Sequence, residues 1–187
     1  MNNSEAKALI IEAAKIVGFS IVDKTHGENY HPWLEITTKN GNVISIGRAH
    51  NKDTHWGAFA KAFTDSQNQS CAPYNSSTPS ANIKKDNTPE KFAKWLTKIE
   101  NDWCEWFTES KEIQTRKNTY HNTITNHKNK ILAYDFTKDN GNKDNNVSIY
   151  QSEKEIYGKI YVCDNYANIE LSSVDYETLT KILDLLK

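Results

Sequence analysis

Only three cysteines occur in the 187 residues, Cys71, Cys104 and Cys163, and no C-x-x-C pair is present. That argues against a zinc ribbon or a redox dithiol, and scattered, odd-numbered thiols suit a reduced, cytosolic protein. No apolar run approaches the ~18 residues that span a bilayer. The polar start after Met1 has no basic n-region followed by a long apolar run, so no signal peptide is expected. The seven glycines are scattered among turns and form neither a P-loop nor a G-x-G-x-x-G fingerprint. No G-x-S-x-G elbow exists, and no cysteine sits in a recognisable nucleophile context. The expectation is a cytoplasmic, non-catalytic protein without cofactor, metal centre or membrane partner. A formal net charge of −1 also argues against nucleic-acid binding by the whole surface, which needs many cationic contacts.

What is present is a globular pattern. Aromatic residues make up 11% of the chain, more than disordered segments carry, and 187 residues can bury a core without disulfides. Ser4 to Val17 has helical spacing of Leu9, Ala13, Ile16 and Val17, with Gly18 to end it. A short strand at Phe19 to Val22 follows. Trp33–Thr38 and Val43–Gly47 flank Asn40-Gly41, the pattern of a type I′ hairpin. Trp56, Phe59, Ala60 and Phe63 recur at i, i+3, i+4, i+7 and predict a second helix, capped by Asp53 or Thr54. Ser, Asn, Thr, Gln and Pro dominate residues 66–88, which read as a polar linker. Thr88-Pro89 opens a long helix with a stripe of Phe92, Leu96, Ile99, Trp103 and Trp106. Residues 118–129 are polar and read as irregular. Ile131–Thr137, Val147–Gln151, Ile156–Cys163 and Ala167–Leu171 read as strands. A last helix follows, capped by Ser172 or Ser173, with Tyr176, Leu179, Ile182, Leu183 and Leu186 on its inner face. The fold class is therefore α+β: two small antiparallel-sheet units with flanking helices, joined by a polar linker and a long aromatic-rich helix. The division is an α-β-hairpin-α unit at 1–65, the linker at 66–88, the helix at 89–117 and a ββββα unit at 130–187.

Charge is uneven. Residues 111–130 hold Lys111, Arg116, Lys117, Lys128 and Lys130 against Glu112, with Tyr120, His121 and His127 among them. Such a run can follow phosphates and stack a base; it can equally be a solvated connector that pairs with acidic residues downstream. Residues 131–187 hold six lysines against ten carboxylates. An acidic surface suits a basic protein partner, and Glu153, Glu155 and Asp164 are candidate contacts. The long helix has Lys91, Lys94 and Lys98 first and Glu100, Asp102, Glu105 and Glu109 later, against its macrodipole. A two-fold homodimer with Trp95 and Trp103 at the seam would match basic to acidic halves; burial of the stripe within one subunit is the alternative. The histidines come in pairs, His26/His31, His50/His55 and His121/His127. Asp53 lies between His50 and His55, so a metal or general-base site there is a further reading, although the spacing is not that of a helical metal pair.

The ββββα order after residue 130, with its Ile169-Glu170-Leu171-Ser172 strand-to-helix junction, resembles the topology of single-stranded-DNA-binding transcriptional coactivators. The resemblance implies a sheet that binds single strands; the acidic residues of this segment argue the other way. Frequent asparagine and lysine, both AT-rich in codon, suggest a bacterial or mobile-element source. The functional expectation is a binding protein with a protein partner, of the inhibitor, immunity or anti-defence kind. Nucleic-acid binding through 111–130 is the second reading and a histidine-dependent hydrolase or nuclease the third.

Overall fold

The computed structural model describes residues 3–25, 33–48, 56–83, 88–135, 137–139, 145–151 and 156–185. It is α+β, with one five-stranded and one four-stranded antiparallel sheet and four helices among the described residues. It divides into two compact units, Met1–Thr115 and Arg116–Lys187.

The first unit opens with α1 (Asn3–Val17). Gly18, at φ +71°, ends it: the Phe19 N–H donates to the Ala14 carbonyl at 2.9 Å, a Schellman closure that only a left-handed residue permits without strain. The strands β1 (Ser20–Asp23), β2 (Trp33–Thr37), β3 (Val43–Arg48), β4 (Trp56–Lys61) and β5 (Ser80–Ile83) form a meander in chain order. Register places Ile21, Ile36, Ile44 and Ala60 in one row and Leu34, Ile46, Ala58 and Ala81 in the next. These rows share one apolar cluster with Ile10 and Ala13 of α1 and with Phe92, Leu96 and Ile99 of α2 (Pro89–Asp102). Leu34, Ile36, Ile44 and Ile46 are fully buried, worth roughly 1.5–3 kcal/mol each.

Three expectations change here. The Asn40-Gly41 turn is not type I′. Gly41 has φ +78° while Asn40 does not take a positive φ. The Thr38 N–H donates to the Asn42 carbonyl (2.9 Å) and the Gly41 N–H to that of Thr38 (3.0 Å). This is the three-residue hairpin loop with a left-handed glycine. Residues 56–61, expected as a helix, are strand β4, with Trp56, Ala58 and Ala60 buried on the inward face. The i, i+3, i+4 stripe was real as spacing, but pairing with β3 and β5 on both sides overrides it. The polar segment 66–88 is not a free connector. It supplies β5, and Cys71 is fully buried within it. The Asp65 carboxylate accepts from the Gln67 and Gln69 N–H groups, and the Phe63 N–H donates to the buried Ser110 hydroxyl at 3.0 Å.

The long helix is two helices. Thr88 caps α2 by accepting the Lys91 N–H. Trp103, at φ −102° and ψ 7°, separates α2 from α3 (Cys104–Ile131) and is buried beside Trp106 and Phe107. The break removes the conflict with the macrodipole for α3, which begins with Glu105 and ends with Lys128 and Lys130, while α2 still ends on Glu100 and Asp102 with no basic residue in its last turn. It also divides the charge pattern on which the homodimer reading rests: Lys91, Lys94, Lys98, Glu100 and Asp102 lie on α2, and Glu105 and Glu109 on α3.

In the second unit, residues expected to be irregular belong to α3. Lys117, His121, Ile124, Lys128 and Ile131 recur by four and three, and each is buried or half-buried. Lysine and histidine fill three of those five inward positions, which hid the period. The Thr137 hydroxyl meets the Ile131 carbonyl (2.9 Å) where the helix ends, so Ile131 and Leu132 close α3 and do not begin a strand. The sheet then runs β6 (Thr137–Asp139), β7 (Asn146–Gln151), β8 (Ile156–Val162) and β9 (Ala167–Ser173). Val147, Ile160 and Val162 pack with Ile124 on one face. Asp175, not Ser172 or Ser173, caps α4 (Tyr176–Asp184), accepting the Thr178 N–H at 2.8 Å.

β9 has a bulge opposite Tyr157 and Gly158. A Cβ on Gly158 would sit 2.3 Å from the Glu170 carbonyl oxygen. Gly158→Ala is therefore expected to cost about 2 kcal/mol, read as a lower urea midpoint for the second unit; an unchanged midpoint would contradict this packing.

Lys7 and Thr25 hold the Asp23 carboxyl down to about 2. A depressed carboxyl stabilises above its unfolded value of ~3.9, and that contribution is lost as pH falls towards 2. The pair is exposed, so the loss is below about 1 kcal/mol. Stability curves of the native chain and Asp23→Asn should converge between pH 4 and 2 and differ at pH 6; parallel curves would contradict the pairing.

Candidate interaction surface

The basic stretch expected to follow phosphates lies along α3. There its members do different things. Lys128 is buried and its ammonium pairs with the Asp139 carboxylate of β6 at 2.5 Å. His127 Nδ1 lies 3.3 Å from the Cys163 carbonyl. Tyr120 and His121 meet edge to face with ring centres 5.8 Å apart. Lys117 is half-buried; Lys111, Arg116 and Lys130 are exposed. Part of the run thus holds the helix to the sheet. Residues 116–187 contain ten lysines and arginines and ten aspartates and glutamates, so the basic and acidic segments of the sequence cancel within one unit.

The other face of the second sheet is open. Register puts Tyr150 opposite Tyr157, with Lys159 and Tyr161 following on the same side of β8 and Ser148 and Lys138 beside them. Tyr150 is 58% and Tyr157 40% exposed, and their rings sit 5.4 Å apart at 61°. A concavity of about 510 Å³ adjoins Tyr150, lined also by Asp135, Thr137, Lys138 and Ser148. The sequence carried this signal as the alternation Tyr157-x-Lys159-x-Tyr161, but tyrosine reads equally as core or surface until the register is known.

The last helix has an apolar stripe that is largely exposed among the described residues, with Ile182 half-buried. No residue of α4 is buried; Tyr176 is 90% and Leu183 52% exposed, contrary to the inner face expected for them. Ile169 of β9 is also exposed. Among its described residues the core cluster of this unit holds four buried apolar side chains, Ile124, Val147, Ile160 and Val162, whereas the first unit buries a continuous set along its sheet and helices. Small units with thin cores gain stability by association.

Of the other expected contacts, Trp103 is buried and Trp95 is half-buried, its ring centre 5.0 Å from that of Phe92. Asp164 is exposed in the β8–β9 turn, where its carboxylate accepts the Asn165 N–H. Glu153, Glu155, His26, His31, His50, Asp53 and His55 lie outside the described residues. Among the described residues there is no group of three or more His, Cys, Asp or Glu placed to hold a metal ion. None of their helices is long and apolar enough to cross a membrane. Comparisons with protein-family models, curated proteins and solved structures find no match.

The Lys128–Asp139 pair makes an asymmetric prediction. Asp139→Ala leaves a buried ammonium without its carboxylate and should cost about 1–2 kcal/mol, whereas Lys128→Met removes the charge and should cost less than 1. Thermal unfolding of both variants measures this; the reverse order would show the lysine to be solvated.

Proposed function

We propose that this chain is a non-catalytic macromolecule-binding protein whose partner is another protein, and that the second unit carries the binding surface. A role as an inhibitor, immunity or anti-defence protein of a bacterium or mobile element fits this reading. One observation carries it: large apolar side chains stand exposed on a unit whose described residues bury four of their own in the core cluster. Tyr150, Tyr157, Tyr166, Ile169, Tyr176, Leu179, Leu183 and Leu185 are all solvent-facing. Concentrated apolar exposure marks interaction sites, and tyrosine is favoured in interface centres. The acidic segment downstream of residue 131 adds charge selectivity.

A second reading has its own support. The tyrosines and two lysines on the open sheet face are the side-chain types that stack bases and neutralise phosphates. It differs from binding through 111–130 in salt dependence. Two phosphate contacts give a slope of about −1.4 in log K against log salt, and four give about −2.8.

Tagged chain incubated with lysate of its source cell should recover one protein in near-stoichiometric amount. A variant carrying Tyr150→Ala, Tyr157→Ala, Leu179→Asp and Leu183→Asp should not. Equal recovery by both would take the binding surface away from these side chains, and no recovered protein together with tight binding of a labelled single strand of about 16 nucleotides would replace the protein-partner reading.

A further inference from the structure

We infer that the exposed stripe of α4 receives a basic amphipathic helix of the partner protein; this rests on the protein-binding reading and names the partner's chemistry. The helix is built locally. Asp175 caps it through the Thr178 N–H and hydroxyl, and Glu177 pairs with Lys181 one turn on at 2.6 Å. Nine residues make an isolated helix marginal in water, and an apolar face of which Tyr176, Leu179 and Leu183 remain 40–90% exposed leaves room for a further contact. Tyr176, Leu179 and Leu183 stand at i, i+3 and i+7, the spacing by which one helix lays itself along another.

Charge decides what covers the stripe. Residues 163–185 carry Asp164, Glu170, Asp175, Glu177 and Asp184 against the single Lys181. A second copy of the chain would bring the same carboxylates to a two-fold contact, where like charges oppose association. An oppositely charged partner gains from the same arrangement. The occupant is therefore apolar on one side and rich in lysine or arginine around it.

The test uses the full chain and two synthetic helical peptides, one of leucine and lysine at heptad spacing and one of leucine and glutamate. Fluorescence anisotropy should show binding of the lysine peptide, weakened as salt rises from about 50 to 500 mM, and none of the glutamate peptide. Leu179→Asp with Leu183→Asp should weaken the lysine peptide at least about tenfold, as expected for two anchors. Those substitutions add negative charge, so charge attraction alone would strengthen binding. The same variant should keep the native melting temperature within about 2 °C, because the side chains replaced are exposed.

A large fall in melting temperature would show the stripe to be covered within the chain and overturn the inference. If that variant does not fold, Tyr176→Ala, at the most exposed position of the stripe, takes its place in the peptide assay. Equal binding of both peptides, or lysine-peptide binding untouched by either variant, overturns it as well. So does a dimer seen in sedimentation that Leu183→Asp dissociates, or flotation of the chain with neutral phosphatidylcholine vesicles. A cellular partner that still binds the Leu179→Asp/Leu183→Asp chain would leave the protein-binding reading standing and remove this surface from it.

Discussion

Two rows of inward side chains, Ile21-Ile36-Ile44-Ala60 and Leu34-Ile46-Ala58-Ala81, must be covered at once, and the first unit is organised around that requirement. Isoleucine and leucine on the first strands give way to alanine on β4 and β5. Large and small residues side by side let rings from α2 and α3 enter the cluster, and Phe92 and Phe107 are fully buried there. The break at Trp103 belongs to the same packing, since it places Trp103, Trp106 and Phe107 together. On the opposite face the ring of Trp33 lies over Gly47 so closely that a Cβ would fall 2.5 Å from it.

Among its described residues, the second unit answers the same requirement with fewer buried apolar side chains. Its helix contributes Ile124 and the half-buried Ile131, while lysine and histidine occupy the intervening inward positions. The long stem of Lys128 covers the sheet and its ammonium ends at Asp139, so a charged residue performs part of the work of a core residue. One tightly packed unit and one thinly packed unit in a single chain suit a division between a scaffold and a surface that is completed by association. That division is the physical ground for the functional reading, and it stands apart from any likeness to a known family.

Legibility followed the directness of each signal. α1 with Gly18, the hairpin around Gly41 and Thr88 at the start of α2 were readable, because capping and turn chemistry act within a few residues; the ββββα order was readable too, but with its first strand set at 131–137 where α3 ends and β6 starts at Thr137. β4 was not readable, since Trp56, Phe59, Ala60 and Phe63 satisfy a helical stripe and only the neighbours at Ile44 and Ile83 make it a strand. The tail of α3 was missed because its period is written in lysine and histidine. The basic run was visible as a run, but the sequence could not say that Lys128 points inward. The tyrosine face was unread for a similar cause: Tyr150 and Tyr157 are separated in sequence and become neighbours through register alone.

The sequence by itself determined the α+β class, the local starts and stops of most elements, and the lack of familiar catalytic and phosphate-binding motifs. These depend on backbone preferences and on residues near one another along the chain. Tertiary structure decided which stripes are covered. Periodicity identifies an apolar face but not its neighbour, so the stripe at Phe92 and the stripe at Leu179 read alike. One is buried in the first unit's core and the other faces solvent, because burial depends on what the rest of the chain brings to that face.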